Sequence, residues 1–465
     1  MNYPAWDVPH IGSGGIIALI AIYHVMISHF AVGGGLYLPL AERKALRENR
    51  RDWLDQLRKH AKFFLILTGV FGAVSGVGIW FAIGLANPEA TSTLIHNFVF
   101  GWAMEWVFFL VELSAAAVYY YTWGRVPDSV HLKVGWLYAV VSFGTLVIIN
   151  GILAFMLTPG DPWLTVAGTG QESSRFWSAF FNPTYWPNLL IRTLVCTSLA
   201  GIWALVTCSR IDGAQHPDLK SALVRWSAKW LIPSFGLMPF AVGWYLWTVP
   251  ESQRALLTLG VNTIGPGAFT QVTRMALVIV IASATLVAVV YALAWRSPRD
   301  FRFGHALAVL ALALAATAAG EYTREMLRKP YVVGNHMYSN GLRAAAADTP
   351  EERSRSYLDP NLWLDRSPGV EPRAAIGEAM FRGQCLACHT RDGYRSMKRL
   401  LAGRDREAIQ NLLAILHEHK PDSPYRAFMP PLVGTADEIN ALADYLASLD
   451  TPAPSLASGG AGTKQ

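Results

Sequence analysis

Residues 23–46, YHVMISHFAVGGGLYLPLAERKAL, join an apolar run to a cluster of basic residues. A helix that crosses a bilayer needs about 20 mostly apolar residues, because lipid offers its backbone no hydrogen-bond partner. The run that contains this stretch meets the requirement between about residues 12 and 40. No Lys or Arg precedes it, so we expect it to persist as a membrane helix rather than to be cleaved as a signal peptide.

Similar apolar runs recur through the first 321 residues of the chain. Of the 465 residues, 52% are hydrophobic and only 15% are charged, which excludes an ordinary soluble multidomain protein. Runs of spanning length lie near residues 12–40, 63–86, 98–124, 134–158, 185–208, 228–249, 271–295 and 302–321. We therefore predict an all-α, polytopic bundle of about eight transmembrane helices.

Basic residues are unevenly distributed among the connecting segments. Seventeen Lys and Arg residues lie in the segments 41–62, 125–133, 209–229 and 296–302. Only two lie in the intervening segments 87–97, 159–183 and 250–270. Because basic loops stay in the cytoplasm, the N-terminus and all residues after 321 should face the outside of a bacterial inner membrane. These loops also explain the net charge of +6, so we expect no nucleic-acid partner.

The C-terminal part of the chain differs in composition from this membrane domain, which we assign to residues 1–334. Residues 335–372 mix Pro, Asp, Ser and Arg without periodicity and predict an extracytoplasmic linker. Residues 373–451 predict a small all-α domain, and the Pro-, Gly- and Ser-rich tail 452–465 is predicted to be disordered. Helical periodicity within the small domain places helices at 373–383, about 404–418 and 436–449.

The small domain contains FRGQCLACHTRDG, residues 381–393, with the motif Cys385-x-x-Cys388-His389. Two thiols at this spacing can bond the two vinyl groups of a porphyrin, and the adjacent imidazole can bind its iron. A zinc or dithiol site would not require the appended histidine, and the domain has no second CxxC pair. The motif therefore predicts one covalently attached haem c.

Electron-transfer haem needs a second axial ligand, and a thioether in that position raises the potential. Met429 in RAFMPPLVG is the best candidate, because two prolines hold an extended loop after it. His417, His419 and Met397 are the alternatives, and Met429 could also be an ordinary loop residue. The order of helix, CxxCH, helix, MPP loop and helix resembles class I-type cytochrome c domains.

Several ionisable residues lie within the apolar runs, where they are costly and often functional. His24 and His29 are five residues apart, about 140° around a helix, and should face different directions. Glu105 and Glu112 are seven apart and should share one face, where carboxylates can ligate iron or carry protons. The alternative is that these residues only pair with neighbouring helices.

The membrane part resembles subunit I of cytochrome bd quinol oxidases over roughly residues 10–335. The resemblance is carried by YHVMISHFAVGGGLYLPLAERKAL, FGAVSGVGIW, VFGWAMEWVFFLVELSAAAVYYYTWGR and GEYTREMLRKPYVVG. It implies that His24 ligates a high-spin haem and that Glu105 and, after a one-residue shift, Glu112 are the functional glutamates. It also implies roles in cofactor binding for Arg274, Met275 and Glu321.

The chain departs from that family in three places. Where the family has a low-spin haem histidine on its fifth helix, the nearest residue here is Arg192, so His29, His96 or His336 would have to supply a second intramembrane ligand. The family's long quinol-binding loop is reduced to about twenty residues within 250–270. A haem c domain stands where the family has a ninth helix.

These patterns predict a membrane oxidoreductase with one haem c and one or more b-type haems, with haem d left open. Electrons would pass from a soluble or multihaem cytochrome c through the c haem to the membrane haem, where dioxygen is reduced. One alternative is quinol oxidation with electrons leaving through haem c. Another is a relay in which a haem-free membrane part only tethers a cytochrome c. The resemblance implies a second membrane subunit and leaves quinol open as a partner.

Overall fold

A computed structural model of the chain describes residues 5–251, 254, 258, 271–360 and 371–449. The chain divides into two compact units. The larger unit comprises Ile17–Gly84 and Ala90–Met337. The smaller unit comprises Met1–Ile16, Leu85–Glu89 and Tyr338–Gln465, so it includes both ends of the chain.

Long α-helices dominate the first 328 residues. Within the described residues, these helices are α1 (Ser13–Arg47), α2 (Arg51–Ile66), α3 (Ala73–Ala86), α4 (Pro88–Asn97), α5 (Val99–Tyr121), α6 (Asp128–Leu157), α7 (Asp161–Leu164), α8 (Phe176–Phe180), α9 (Tyr185–Cys208), α10 (Pro217–Lys229), α11 (Ile232–Thr248), α12 (Gln271–Val289) and α13 (Phe303–Arg328). A π-helical segment, Leu67–Gly72, joins α2 to α3, and a second, Val290–Arg296, extends α12. Short 3-10 helices lie at Glu172–Arg175 and Pro298–Asp300, and the strands β1 (Tyr331–Val333) and β2 (Met337–Tyr338) pair after α13.

Among the described helices, seven are long and apolar enough to cross a membrane. They are Ser13–Arg47, Arg51–Ala86, Val99–Tyr121, Asp128–Leu157, Tyr185–Cys208, Gln271–Arg296 and Phe303–Arg328. These confirm seven of the predicted runs. The run predicted at 228–249 is helix α11 of 17 residues, because a break at Trp230 and Leu231 separates it from α10. At 1.5 Å per residue α11 is about 25 Å long, the lower limit for a span.

Helix α2 begins twelve residues before the predicted run, inside the basic segment 41–62. Its first turns are amphipathic, with Trp53, Leu57 and Phe64 buried and the basic side chains on the other face. Hydropathy averaged over a window hides such a helix, because the charged face cancels the apolar one.

The main core of the larger unit lies among α1, α2, α9 and α10. Phe30, Trp53 and Leu57 pack there against residues of α9 and α10. A side chain at Gly33 would collide with the backbone carbonyl of Cys196, so α1 and α9 touch backbone to backbone at this point. Helix α5 packs along α6, and α12 packs along α13.

The smaller unit is also helical. Within the described residues it contains α14 (Pro350–Arg353), α15 (Pro372–Gln384), α16 (Met397–Leu401), α17 (Arg406–Glu418), α18 (Ala436–Ser448) and a 3-10 turn at Ala345–Ala347. The three predicted helices are confirmed as α15, α17 and α18, with ends that differ by at most two residues. Thr435 and Glu438 form a capping box at the start of α18, which explains this sharp boundary.

The segment predicted as the linker 335–372 differs from that expectation over its described part. Tyr357 and Leu358 lie in the core of the smaller unit. The carboxylate of Glu438 accepts hydrogen bonds from their backbone N–H groups, both at 3.0 Å. This part of the segment is therefore packed into the smaller unit, although its sequence has no helical periodicity. Residues 361–370 and the tail 452–465 lie outside the described residues.

Candidate functional site

The CxxCH motif forms a tight turn directly after α15. The backbone N–H groups of Cys388 and His389 donate to the carbonyl of Cys385 at 3.1 and 2.9 Å. Burial raises the pKa of the Cys385 thiol to about 12, with the neighbouring thiol of Cys388 adding to the shift. The turn holds the two thiols close together along the chain.

The imidazole of His389 is held at its Nδ1 atom. Its Nδ1 lies 3.1 Å from the backbone carbonyl of Arg395, which can only accept a hydrogen bond. Nδ1 therefore carries the proton, and the lone pair of the neutral ring is on Nε2. This is the tautomer that a histidine ligand of iron requires, with the carbonyl as its orienting partner.

The loop with Met429 is tied to the residue that precedes the motif. The side-chain amide of Gln384 donates to the carbonyl of Val433 at 2.7 Å and accepts from its N–H at 3.0 Å. The N–H of Leu432 donates to the carbonyl of Leu416 at 3.2 Å. Met429 itself is half-buried. The structure therefore brings the MPP loop to the end of α15, next to Cys385.

The alternative ligands are placed differently. Both ring nitrogens of His417 have partners, the carbonyl of Leu432 at 2.9 Å from Nδ1 and the hydroxyl of Ser354 at 3.4 Å from Nε2. Met397 is 9% exposed and belongs to the core of the smaller unit. His419 ends α17 in a left-handed conformation, with φ at 47°. Met429 stays the predicted second axial ligand among the four candidates.

Arg382, one turn before Cys385, was not singled out from the sequence. Its Nε is buried and has no hydrogen-bond partner among the described residues. A buried guanidinium N–H without a partner is costly, and carboxylates are its preferred partners. Porphyrins carry carboxylates, so the thiols, the imidazole and this guanidinium together fit a covalently bound haem.

In the larger unit, His24 contacts the helix that follows the first π-helical segment. Its Nδ1 lies 3.0 Å from the hydroxyl of Ser75. That hydroxyl donates to the carbonyls of Phe71 and Gly72, at 2.7 and 3.0 Å, so it can only accept from the ring. The Nδ1–H tautomer follows, with the lone pair on Nε2, as at His389.

His29 has different neighbours from His24, as the helical spacing predicts. Its Nδ1 donates to the carbonyl of Val25 at 3.0 Å, and its ring is 6% exposed. The charges of Arg192 and Glu321 act on it and on each other. Arg192, at the position where the family resemblance implies a histidine, is therefore part of a charge cluster with His29 and Glu321.

This cluster lies on α1, α9 and α13. Glu321 pairs with Arg324 at 2.8 Å, and Arg192 donates from Nε to the side chain of Asn188 at 3.2 Å. One turn further, Glu325 pairs with Arg328 at 2.5 Å. Charges paired in this way remain tolerable inside a membrane bundle.

Glu105 and Glu112 both lie on α5, two turns apart. Glu112 is 9% exposed and accepts a hydrogen bond from the hydroxyl of Thr145 on α6, whereas Glu105 is half-buried. The two carboxylates act electrostatically on each other, in agreement with the predicted common face.

The other candidates from the sequence lie apart from these groups. Arg274 is exposed, and Met275, beside it on α12, is half-buried. His96 donates to the carbonyl of Ser92 at 2.8 Å, and the ring of His336 packs edge-on against Trp163. Among the described residues, no three His, Cys, Asp or Glu side chains could hold a bare metal ion. A haem iron needs only one or two protein ligands, so the isolated histidines suit it.

A further buried polar group has no counterpart in the sequence predictions. Glu42 pairs with His131 at 2.7 Å and accepts from the hydroxyl of Tyr119 at 2.7 Å. His131 also donates from Nε2 to the carbonyl of Tyr119 at 2.8 Å. All three residues are at most 4% exposed. They come from α1, α5 and α6. Because they are far apart along the chain, no local sequence pattern predicts that they meet.

Known proteins resemble the membrane part of this chain. Residues 15–245 match the model of the family described as cytochrome bd terminal oxidase subunit I. The fold is similar to the structure of bd oxidase from Geobacillus thermodenitrificans, with a TM-score of 0.56 and 18% sequence identity. That likeness covers 69% of this chain and 87% of the other. A search of curated proteins gave no match.

The chain is thus a multi-pass membrane protein and a haem-dependent oxidoreductase of the respiratory oxidase class. Within it, residues 15–245 form a cytochrome bd subunit I-like domain.

Proposed function

We propose that this chain passes electrons between an extracytoplasmic c haem and an intramembrane b-type haem, as a subunit of a terminal oxidase that reduces dioxygen. One observation carries the proposal: His24 and His389 are both held through Nδ1, by Ser75 and by the carbonyl of Arg395. In the tautomer that this contact selects, the lone pair of each ring is on Nε2, the atom that would bind iron, in two separate units of the chain. Bound haem would supply reversible one-electron transfer and, at an open coordination position, the binding of dioxygen.

In the smaller unit, each residue has a defined task. Cys385 and Cys388 form the two thioether bonds, and His389 supplies the first axial nitrogen. Met429 supplies sulfur from a loop that Gln384 holds in place. Arg382 offers its unpaired Nε–H to a porphyrin carboxylate.

In the larger unit, His24 holds the b-type haem, and the carboxylates of α5 supply protons. Reduction of dioxygen to water consumes protons, so buried groups that bind and release them are required. Glu112 accepts a hydrogen bond from Thr145, and Glu105 lies two turns earlier on the same face of the helix. Two turns correspond to about 10.5 Å, a gap that ordered water can bridge.

The proposed surroundings follow from charge and from the family. The basic loops support a bacterial inner membrane location, with the N-terminus and the smaller unit on the periplasmic side. A second membrane subunit would complete the complex. The electron donor would be a soluble or multihaem cytochrome c, because the segment 250–270 is short for the quinol-binding loop of the family.

The test is a haem inventory of the purified chain. A pyridine haemochrome assay should show both b and c haem, and carbon monoxide should perturb the spectrum of the reduced protein through the open b-type haem. Cys385→Ser should remove haem c alone, and His24→Ala should remove b-type haem alone. Haem c without any b haem would leave only the tethered relay. Reduction of haem c by quinol, blocked by a quinone-site inhibitor, would reverse the proposed direction.

A further inference from the structure

Residues just before α1 pack on the loop that follows His389, and both belong to the smaller unit. The N–H of Tyr394 donates to the backbone carbonyl of His10 at 2.6 Å. The ring Nδ1 of His10 donates to the carbonyl of Asp392 at 2.8 Å. A side chain at position 393 would collide with the backbone of His10, so Gly393 is required for this close approach.

A charge pair adds to these backbone contacts. Arg391, two residues after His389, pairs with Asp7. The same guanidinium donates to Glu378 on α15 and to the hydroxyl of Tyr445 on α18, both at 2.7 Å. Asp7 and Arg391 are 26% and 32% exposed, so the pair is shielded from solvent more than a surface ion pair.

The loop that these contacts hold includes the carbonyl that accepts the hydrogen bond from His389. The N–H and the hydroxyl of Thr390 donate to the carbonyl of Tyr394, at 3.3 and 2.9 Å, and the N–H of Met397 donates to the carbonyl of Thr390 at 2.8 Å. Arg395, next to Tyr394, supplies the carbonyl that accepts from Nδ1 of His389. The position of this carbonyl therefore depends on the loop and on the N-terminal segment bonded to it.

We propose that Asp7 and His10 are positioning residues of the c-haem site. They fix the loop 390–397 and thereby the carbonyl of Arg395 that orients His389. This inference rests on the proposed attachment of haem to Cys385 and Cys388. An imidazole that donates strongly from Nδ1 is a more basic ligand and favours ferric iron, so loosening the loop should raise the potential of haem c.

The test uses the full chain and redox titration of haem c, together with the electron paramagnetic resonance spectrum of its ferric form. His10→Ala removes the ring that donates to the carbonyl of Asp392. It should raise the ferrous-to-ferric ratio at a fixed potential by up to about tenfold, which corresponds to 59 mV for one electron. The resonance g values should shift with the orientation of His389. His10→Asn keeps an N–H donor and tolerates the φ of 61°, so it should behave as the parent chain.

Asp7→Asn gives a second, independent variant, and Glu378→Gln is its matched control. Both remove one carboxylate from Arg391, but only Asp7→Asn releases the N-terminal segment. A larger shift for Asp7→Asn supports the proposal. If the His10→Ala protein does not accumulate, the comparison of Asp7→Asn with Glu378→Gln still tests the proposal. Unchanged potentials and g values in both variants would overturn the positioning role, whereas absence of covalent haem in the parent chain would overturn the proposed function itself.

Discussion

The imidazole of His24 donates to the hydroxyl of Ser75, a residue 51 positions later in the chain, at 3.0 Å. Ser75 follows the π-helical segment Leu67–Gly72 and bonds two of the carbonyls at the end of that segment. Such π-helical turns often occur at functional sites, because they redirect side chains. Here the turn places a hydroxyl acceptor beside the predicted haem ligand.

The Ser75→Ala variant should lose b-type haem. Without the hydroxyl, the ring of His24 can rotate and adopt the other tautomer, and loss of such an orienting partner weakens binding about 10- to 100-fold. The ratio of b to c haem in the purified protein measures the effect. Ser142→Ala is the matched control, since the buried hydroxyl of Ser142 bonds the carbonyl of Ala139 within its own helix. Full b-haem content in Ser75→Ala would exclude this role.

The Met429→Ala variant should lower the potential of haem c and change its spectrum, because a thioether ligand raises the potential. Redox titration with visible spectra is the measurement. Met397→Leu serves as the control, since it removes the buried sulfur of Met397 while nearly conserving its volume. If the potential stays at the parent value in Met429→Ala, the second ligand is another residue.

The smaller unit should become less stable in mild acid because of His419. Burial, followed by the cationic Arg426 and Arg353, lowers the pKa of His419 to about 4. The unfolded chain, with a histidine pKa of about 6.5, binds the proton first, so stability falls as the pH drops from about 6.5 to 4. The loss should total about 1–2 kcal/mol, reduced by partial exposure of the ring.

His419→Asn should abolish most of this pH dependence, because asparagine tolerates the left-handed φ but does not titrate. Thermal unfolding followed by the haem c absorption at pH 4.5 and 7 is the measurement. The exposed His216→Asn is the control and should keep the parent pH dependence. Equal pH dependence in all three proteins would show that another group is responsible.

The Glu42→Gln variant should destabilise the larger unit. Glu42 accepts from Tyr119 and pairs with His131, and an amide has only one oxygen to replace the two of the carboxylate. One buried donor then loses its partner, at about 1–3 kcal/mol. Thermal unfolding in detergent measures the loss. Glu48→Gln, directly after the end of the same helix and paired with Lys44 at the surface, should change stability by less than about 1 kcal/mol. Similar melting temperatures for both variants would contradict this.

Hydropathy predicted seven membrane helices well, and periodicity with caps predicted α15, α17 and α18. The errors have physical causes. The amphipathic start of α2 was hidden because its basic face lowers the mean hydropathy. Composition predicts a linker at 335–372, but the described part of this segment is packed into the smaller unit. Its backbone is held by Glu438, which is far along the chain, so no local pattern indicates the burial.

By itself, the sequence determined which segments are apolar enough to span a membrane and where the CxxCH motif lies, because both are properties of contiguous residues. Only the tertiary structure decided which nitrogen of His24 and of His389 carries the proton, since their hydrogen-bond partners come from the folded chain. It alone brought Asp7 to Arg391, 384 positions away. Hydrogen bonds and ion pairs of this kind depend on how distant segments pack, and they leave no local pattern in the sequence.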